Sequence, residues 1–319
     1  MISEKRKKIV INNMHIDYSG GGMYMLQLAK CLDAFCDVYF DCEQTNDVNI
    51  SGLDLEIKKY DHSFNPDLFI ASSHWGNIEP IGKINAYVIY FPYYQRDYPL
   101  MYDYLITLNE FVSYHTKIKY AGKKNYIINP SIDVAKYFLK EKQNQFLNVG
   151  NFFWEPAGHS KNQQIIIEWF IQNKLYEEYK IVFTGFISNQ DYFDKLCKRA
   201  KEYPNILIKS NIPRDELISL YSESKFLIHA NGYKRNNFYQ TEHFGIVAIE
   251  AMISGCQPIV HNSGGCKDFK GVRVWDELDE ILPLVFETKP ERLREYGELF
   301  SFPNMISQTK NFLIGTGII

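Results

Sequence analysis

Two glutamates eight positions apart, Glu242 and Glu250, have the spacing in this chain that most clearly suggests chemistry. Gly245 lies between them, and the apolar residues that follow it recur at helical spacing until Gly255. We therefore predict a helix that begins near Gly245, with one carboxylate before its first turn and the other inside it. The free amides and the dipole of such a helix start favour an anion, which would lie between the two carboxylates.

Glycines 20 to 22 form a second candidate feature, a loop between the first predicted strand and the first predicted helix. Without Cβ atoms a backbone can approach a ligand closely, and the amides of such a loop can bind an anion. The spacing is not the G-x-G-x-x-G of dinucleotide-binding proteins, and a plain tight turn explains it equally well. The glutamate pair also has a plain interpretation, as two solvated carboxylates that flank a core helix. The surrounding elements are needed to choose between this interpretation and an anion-binding site.

The elements that would position these residues alternate between strands and helices. Strand-like runs are predicted at 8–12, 37–40, 67–71, 86–90, 104–108, 125–129, 146–149, 180–183, 206–208, 226–229 and 257–261. In the second half, helical segments are predicted at 163–174, 192–202, 214–222 and 245–254. This alternation predicts an α/β protein with parallel sheets covered by helices on both faces. Two such runs, joined near 131–145, predict two Rossmann-like domains.

Composition restricts the classes of protein that remain. The 319 residues, of which 45% are hydrophobic, suffice for two cores, and a net charge of −3 gives no overall field that would attract nucleic acid. No apolar run approaches about 18 residues, so no transmembrane helix is expected. Six scattered cysteines without C-x-x-C spacing or a histidine cluster predict reduced thiols in a cytosolic protein and no metal site.

The basic run Lys5-Arg6-Lys7-Lys8 has two interpretations. It is a solvated tail before the first strand, which we favour, or a contact with an anionic membrane surface. The first strand begins within about ten residues, which leaves no room for a signal peptide. We therefore expect a cytoplasmic protein, with peripheral contact at the membrane face as the open alternative.

The segment from about Leu147 to Gly265 resembles glycosyltransferase family 4, the retaining enzymes of GT-B architecture. The motifs that carry the resemblance are Ile181-Val-Phe-Thr-Gly185, Asn205-Ile-Leu-Ile-Lys-Ser-Asn-Ile-Pro-Arg-Asp-Glu-Leu217, Glu242-His-Phe-Gly-Ile-Val-Ala-Ile-Glu250 and Gly255-Cys-Gln-Pro-Ile-Val-His-Asn-Ser-Gly-Gly265. Their order and spacing are specific. The amino-acid sequences of the last two motifs look nearest to the branch that contains the GDP-mannose-dependent α-1,2-mannosyltransferases of lipid-linked oligosaccharide assembly.

The resemblance implies a GT-B fold, in which two Rossmann-like domains face each other across a cleft that holds the site. We expect residues 1–140 to form an N-terminal acceptor domain and residues 141–302 to form a domain that binds a nucleotide-sugar donor. The segment Phe300-Ser-Phe resembles the family's Phe-Ser-Trp helix, so residues 303–319 are expected to form a helix that packs back on the first domain. Pro303 suits the first turn of that helix.

The resemblance also implies roles for individual residues. Glu242 would contact the donor sugar and place it over the acceptor, while Glu250 would hold the ribose hydroxyls. Lys161 matches the family's diphosphate lysine, which neutralises charge that grows as the diphosphate departs; an exposed lysine near a helix start is the plain alternative. The other donor-binding candidates are Gly21, Gly22, Asn151, Gly185, Ser210, Ile212, His243, Phe244, Gly245 and Ile246.

The chain departs from the family pattern at two places. An arginine usually partners the lysine, but Asn151 occupies its place, so one phosphate clamp is missing or comes from elsewhere. Lys234 and Arg235 are candidates, although surface solvation is their simpler role. The branch commonly has a histidine where this chain has Tyr90, and a tyrosine can donate a hydrogen bond to a sugar but cannot act as a base near neutral pH. His74 is a candidate substitute or a plain strand-end histidine.

We therefore expect a retaining, metal-independent glycosyltransferase. It would move a hexose from a nucleotide-sugar donor, a GDP- or UDP-hexose, to a glycan, a lipid-linked acceptor or a protein, with no further cofactor. The alternative is a catalytically inactive GT-B scaffold that acts as a sugar-nucleotide sensor or partner subunit, motivated by the missing arginine and histidine. A sugar-nucleotide 2-epimerase of the same fold is a weaker alternative, because the constellation of that family is not apparent.

Overall fold

The computed structural model describes residues 6–13, 15–16, 20–41, 44–45, 55–56, 58–72, 78–91, 97–153, 161–235, 240–286 and 288–319. The chain divides into two compact units. Unit 1 comprises Met1–Ile132 and Phe300–Ile319, and unit 2 comprises Asp133–Leu299. The boundaries lie a few residues before those that the sequence suggested.

A parallel sheet forms the centre of unit 1. The strands of this unit are β1 (Lys8–Asn13), β2 (His15–Ile16), β3 (Asp37–Asp41), β4 (Gln44–Thr45), β5 (Lys58–Lys59), β6 (Leu68–Ser72), β7 (Ile84–Ile89), β8 (Tyr104–Thr107) and β9 (Lys124–Ile127). The main sheet has the order β5-β3-β1-β6-β7-β8-β9, and the short strands β2 and β4 pair with each other. Every residue of β6 is buried, as expected of a central strand between two layers of helices.

The described residues of unit 1 include the α-helices α1 (Gly20–Asp33), α2 (Glu110–Lys119) and α8 (Phe302–Gly315). Ser301 precedes α8, and Pro303 occupies its first turn, as predicted. Helix α8 packs against α1. Its Gln308 side chain accepts a hydrogen bond from Asn129 N at 2.8 Å and donates one to Asn129 Oδ1 at 2.7 Å. The C-terminal helix therefore packs on the N-terminal unit.

Unit 2 contains a second parallel sheet. Its strands are β10 (Gln143–Val149), β11 (Lys180–Gly185), β12 (Ile206–Ser210), β13 (Ser224–His229), β14 (Gln257–His261) and β15 (Arg273–Trp275), in the order β12-β11-β10-β13-β14-β15. The helices of this unit are α3 (Gln163–Gln172), α4 (Gln190–Ala200), α5 (Arg214–Glu223), α6 (Ile246–Ile253) and α7 (Pro290–Gly297). Phe146, Phe226 and Ile259, from three neighbouring strands, pack with Trp169 and Phe170 of α3 in its core.

The sheet of unit 2 determines where functional groups can gather. All of its strand pairs are parallel, so the carboxyl ends of the strands share one edge. In open α/β sheets ligands bind at this edge. The helices α3, α5 and α6 begin after β10, β12 and β13, so their first turns also lie toward it.

Two local predictions need correction or completion. Gly20, Gly21 and Gly22 were predicted to form a loop, but they form the first turn of α1, where main-chain amides lack intrahelical partners whatever the residue type. The sequence reading also missed four short strands, β2, β4, β5 and β15, and the polar helix α7, which have too few apolar residues to show a period. Of the residues described, none lies in a helix long and apolar enough to span a bilayer.

Candidate active site

Glu242 lies at the centre of a polar cluster in unit 2. Its Oε2 atom accepts hydrogen bonds from Lys161 Nζ at 2.7 Å and from Asn231 Nδ2 at 3.2 Å. His229 Nε2 lies 3.6 Å from the same oxygen, slightly beyond hydrogen-bonding distance. Oε1 accepts no hydrogen bond from the described residues, and 24% of the Glu242 side chain is exposed. Within the described part of the chain, the protein therefore holds one oxygen of this carboxylate and not the other.

The carboxyl edge of the sheet brings these side chains together. His229 is the last residue of β13, and Asn231 follows two residues later. Lys161 lies in the segment between β10 and α3. The next residue, Asn162, donates a hydrogen bond to Ala230 O at 2.7 Å and so ties this segment to the end of β13. Local contacts of the main chain therefore fix the positions from which the side chains of Lys161 and Glu242 reach each other.

Glu242 is ionised at neutral pH. Burial alone would raise the pKa of Glu242, but the positive charge of Lys161 and the neighbouring imidazole of His229 outweigh burial and hold this pKa well below its usual value. The cluster therefore offers an ionised acceptor and a cation side by side.

The loop after β14 holds the main chain of Glu242 in place. Gly265 N donates to Glu242 O at 2.7 Å. Gly264 has a φ of +73°, and a Cβ atom there would lie 2.0 Å from Glu242 O, so only glycine fits. Ser263 Oγ donates to Asn231 O at 2.8 Å and links the loop to the same cluster. The Ser-Gly-Gly sequence that contributed to the predicted resemblance thus supports Glu242 directly.

Helix α6 begins immediately after the turn that carries Glu242. Gly245 caps the helix with a φ of +91°, and a Cβ atom there would lie 2.5 Å from Cys266 Cβ. Phe244 packs edge-on against Phe269, with ring centroids 5.5 Å apart. Ala248 N donates to Gly245 O at 3.0 Å, and the two amides before it, of Ile246 and Val247, have no carbonyl partner within the helix. The predicted helix start is therefore present, and its binding of phosphate stays a prediction.

Glu250 lies in a different environment. Only 6% of its side chain is exposed. Oε1 accepts a hydrogen bond from Tyr137 OH at 2.8 Å and pairs with Arg214 Nη2, while Oε2 accepts one from Tyr221 OH at 2.9 Å. Burial raises the pKa of both tyrosines, and the negative charge of Glu250 raises them further, so both hydroxyls remain protonated donors. The predicted contact of Glu250 with ribose stays a prediction, since both oxygens are bound by protein donors here.

Arg214 is a cation that the sequence reading did not assign. It is the first residue of α5, and 53% of its side chain is exposed. Burial opposes its charge, but the carboxylate of Glu250 outweighs burial and raises the pKa of Arg214. The guanidinium also donates to the Tyr137 hydroxyl and lies 5.7 Å from the centroid of that ring. Arg214 therefore joins α5 to α6 at the carboxyl edge.

Four further donor-binding candidates lie near the same edge. Asn151 follows β10, Gly185 ends β11, Ser210 ends β12 and Ile212 comes two residues later. These three strands are neighbours in the sheet. His243, between Glu242 and α6, is 4% exposed. The structure thus places the four candidates at adjacent strand ends. The contacts of Gly185, Ser210 and Ile212 with a base, and that of Asn151 with the donor, stay predictions.

The remaining candidates belong to unit 1. The Tyr90 hydroxyl donates a hydrogen bond to Gly21 O at 3.0 Å, and Tyr90 is 5% exposed. Gly22 is buried in the first turn of α1. The proton of Tyr90 is therefore directed at the start of α1 in this structure, and its donation to a sugar stays a prediction. His74 lies outside the described residues.

The candidate cations for binding a diphosphate are Lys161, Lys234 and Arg235. Within the described residues, Lys161 is the lysine or arginine that touches Glu242. Lys234 is exposed, with its ammonium 5.4 Å from the ring centroid of Tyr233, and Arg235 is partly buried. Neither gains support as a phosphate clamp from these contacts.

His229 and Asn231 are the residues of the cluster that the sequence reading missed. A usable signal existed, because the predicted strand 226–229 ends at His229 and polar residues just after such a strand face the ligand edge. No comparable signal existed for the partners of Glu250. Tyr137, Arg214 and Tyr221 come from three separate parts of the chain, and their meeting depends on the tertiary fold.

The segment that carries this geometry resembles known proteins in sequence. Residues 131–271 match the family model described as glycosyl transferases group 1. The match covers less than half of the chain and includes both Glu242 and Glu250, with their described partners. It confirms the predicted resemblance to glycosyltransferases.

One curated relative has a specific assigned activity. The GDP-Man:Man(3)GlcNAc(2)-PP-Dol alpha-1,2-mannosyltransferase of Dictyostelium discoideum is 25% identical over 241 residues. The alignment covers 66% of this chain and 43% of that relative, so the chain spans less than half the length of the curated relative that it matches.

Several solved structures share the fold over nearly the whole chain. HepE of Anabaena in complex with UDP and glucose has a TM-score of 0.70 and 12% identity, with 97% of this chain and 100% of that chain covered. The lipopolysaccharide outer core galactosyltransferase WaaB gives 0.72 and 12%, covering 97% and 99%. Sucrose-phosphate synthase of Thermosynechococcus elongatus gives 0.70 and 14%, covering 97% and 99%. These likenesses confirm the predicted GT-B fold of two Rossmann-like units.

Proposed function

We propose that this chain is a retaining glycosyltransferase that moves a hexose from a nucleotide-sugar donor to an acceptor hydroxyl. The observation that carries the proposal is the contact of Lys161 with Glu242 at 2.7 Å, inside the segment that matches group 1 glycosyltransferases. It combines a cation, a carboxylate with one available oxygen and a helix start at the ligand edge of a parallel sheet. This set suits a sugar joined to a diphosphate.

In the proposed reaction the bond between C1 of the hexose and the diphosphate oxygen breaks, and C1 forms a bond to the acceptor oxygen on the same face. The electron pair of the broken bond leaves with the diphosphate, which gains negative charge. Lys161 and the first-turn amides of α6 would stabilise that charge. The acceptor proton would pass to the departing diphosphate oxygen. Retention of configuration follows from the attack on the same face.

The ion pair gives Lys161 and Glu242 complementary tasks. The ionised carboxylate would accept a hydrogen bond from a hexose hydroxyl through Oε1 and so orient C1 toward the acceptor. Lys161 would keep its contact with Oε2 while approaching the diphosphate, which places the cation between two anions. The two side chains are 21% and 24% exposed, so a ligand can reach the pair without unfolding of its surroundings.

For the donor we propose a GDP-hexose, with a UDP-hexose as the second choice. The curated relative from Dictyostelium is named for GDP-mannose. The Anabaena HepE structures are named for UDP and UDP-glucose, at lower identity to this chain. The higher identity favours GDP-mannose.

For the acceptor we propose a lipid-linked oligosaccharide, because the curated relative is named for an acceptor on a dolichol diphosphate. Transfer to such an acceptor would take place at a membrane surface, where this chain would act as a peripheral protein. A free glycan or a protein acceptor would be revealed by the same assay with a different acceptor.

Thermal unfolding with a panel of donors tests the proposal at the level of binding. GDP-mannose, UDP-glucose and ADP-glucose are added to the purified chain, and a ligand at about 100 times its Kd should add about 2.7 kcal/mol of stability. Lys161→Met should lose most of this shift for the preferred donor. Lys198→Met, which changes an exposed lysine on α4, is the matched control and should keep it.

Release of the nucleoside diphosphate tests the proposal at the level of catalysis. We expect release from the preferred donor, accelerated by a lipid-linked oligosaccharide. A donor that binds but is never turned over with any acceptor would favour the sensor alternative. If no nucleotide sugar changes the melting temperature and none is turned over, the proposed function is wrong.

A further inference from the structure

His229 is a buried histidine that the reaction described above does not use. It is 4% exposed and ends β13, directly beneath the polar cluster. Neither of its ring nitrogens has a hydrogen-bond partner within the described part of the chain. A polar group buried without a partner is costly, so a position that keeps one calls for a reason beyond packing.

The ring is directed at one atom of the site. Nε2 lies 3.6 Å from Oε2 of Glu242, the oxygen that already accepts hydrogen bonds from Lys161 and Asn231. Three nitrogen-bearing side chains thus surround one oxygen of the carboxylate. The other oxygen, Oε1, accepts nothing from the described residues. The asymmetry gives the carboxylate a fixed orientation.

We propose that His229 is a positioning residue for Glu242, an inference that rests on the proposed function. Together with Asn231 it holds Oε2, so that Oε1 points at the donor hexose. The distance of 3.6 Å is long for a hydrogen bond, and contacts of this kind often tighten only when substrate is bound. His229 would then contribute to turnover through Glu242, without touching the substrate itself.

If His229 positions Glu242, replacing His229 should change the turnover rate and the donor affinity by different amounts. A misplaced carboxylate still permits the nucleotide to bind, because Lys161 and the helix start remain. It lowers the rate of transfer, because small misplacements of a reacting geometry cost about 10- to 100-fold. His229→Leu should therefore lower kcat by about 10- to 100-fold while leaving the donor KM within about threefold of the wild type.

Two amide variants separate positioning from packing. In His229→Gln the amide nitrogen can occupy the place of Nε2, so kcat should stay within about fivefold of the wild type. In His229→Asn the amide is too short to reach that place, and kcat should fall nearly as far as in His229→Leu. If His229→Leu does not fold, the comparison of the Gln and Asn variants decides the matter.

Ile228→Val is the matched control for a loosened strand. Ile228 is the neighbour of His229 in β13, is fully buried and packs in the core of unit 2. Removing one methylene should lower the melting temperature by a few degrees through a small cavity. It should leave kcat unchanged, because its side chain points to the opposite face of the sheet from that of His229.

A double-mutant cycle tests whether His229 acts through Glu242. In a Glu242→Gln background, His229→Leu should cause no further loss of the residual kcat. The inference is overturned if His229→Leu and His229→Asn turn over as fast as the wild type, or if the two losses multiply. In both cases the wild-type protein still turns over its donor, so failure of the inference is distinct from failure of the proposed function.

Discussion

The two glutamates that define the site motif occupy opposite environments, although they lie only eight positions apart. Glu242 is partly exposed, and among the described residues its Oε2 has hydrogen-bond donors while its Oε1 has none. Glu250 is buried, and both of its oxygens are bound by Arg214 and two tyrosines. The difference fits the proposed contact of Glu242 with a ligand, while Glu250 joins α5, α6 and the segment around Tyr137 into one support.

This contrast shows how one helix start can serve two purposes. The turn before α6 carries Glu242, whose Oε2 is held by Lys161 and Asn231 while Oε1 accepts no hydrogen bond from the described residues. The body of α6 carries Glu250, and three side chains hold both of its oxygens. A preorganised site needs rigid support, and Glu242 directly precedes a helix whose own carboxylate is held by three side chains.

Among the variants that test the contrast between Glu242 and Glu250, replacement of Lys161 should have the largest effect. Lys161→Met removes the cation at the leaving group while keeping the length of the side chain. We expect turnover to fall by about 10²- to 10³-fold, measured as nucleoside diphosphate release at saturating donor. Lys161→Arg, which keeps the charge, should recover part of the loss. An unchanged rate in Lys161→Met would remove Lys161 from the proposed chemistry.

Replacing Glu250 should instead act mainly on stability. Glu250→Leu leaves two buried tyrosine hydroxyls and a half-exposed arginine without their acceptor. We expect a loss of about 3 kcal/mol in the free energy of unfolding, measured by chemical denaturation. Glu242→Gln should lose less than half as much in the same experiment. Equal losses in the two variants would erase the contrast between the carboxylates.

Replacing Tyr137 should have a smaller effect on stability, and it tests one of the hydrogen bonds to Glu250. Tyr137→Phe removes one hydrogen bond to an ionised carboxylate and keeps the ring against Arg214. The expected loss is about 1–2 kcal/mol of unfolding free energy. In a Glu250→Leu background the same change should cost almost nothing, because its partner is already gone. Additive losses would show that Tyr137 stabilises unit 2 by another route.

The smallest effect concerns pH. The folded pKa of Glu242 lies below its ordinary value of 4.5, so the ionised form is favoured by folding. That contribution to stability is present above the ordinary pKa and is lost as pH falls through the folded pKa. The difference in melting temperature between the wild type and Glu242→Gln should therefore be constant from about pH 8 to pH 5 and shrink in stronger acid. A difference that grows in acid would reverse the assigned direction.

The sequence predicted the fold well where burial dictates the pattern. The continuous apolar runs of β6 and β13 predicted central strands, and both are buried between helices. Strand β10 extends three residues earlier than predicted because Gln143-Asn144-Gln145 is polar, and only strand pairing extends the ladder there. Helix α7 has a charged sequence whose helical form depends on packing against α6.

The site was predictable only in part. The motif around Glu242 and the position of Lys161 followed from resemblance, but the contact between them joins residues 81 positions apart and has no spacing signature. The burial of Glu250 could not be read from sequence, because it depends on Tyr137, Arg214 and Tyr221 meeting in space. Helical periodicity placed Glu250 near the ligand, and side-chain packing determined what binds it.

The most direct measurement of the central claim is the turnover of Glu242→Ala compared with the wild type. Nucleoside diphosphate release is measured at saturating concentrations of the donor that stabilises the wild-type protein, with circular dichroism and melting temperature as checks on folding. We predict that Glu242→Ala folds, still binds the donor and loses turnover by about 10³-fold. A folded Glu242→Ala protein that releases nucleoside diphosphate at the wild-type rate would contradict the account.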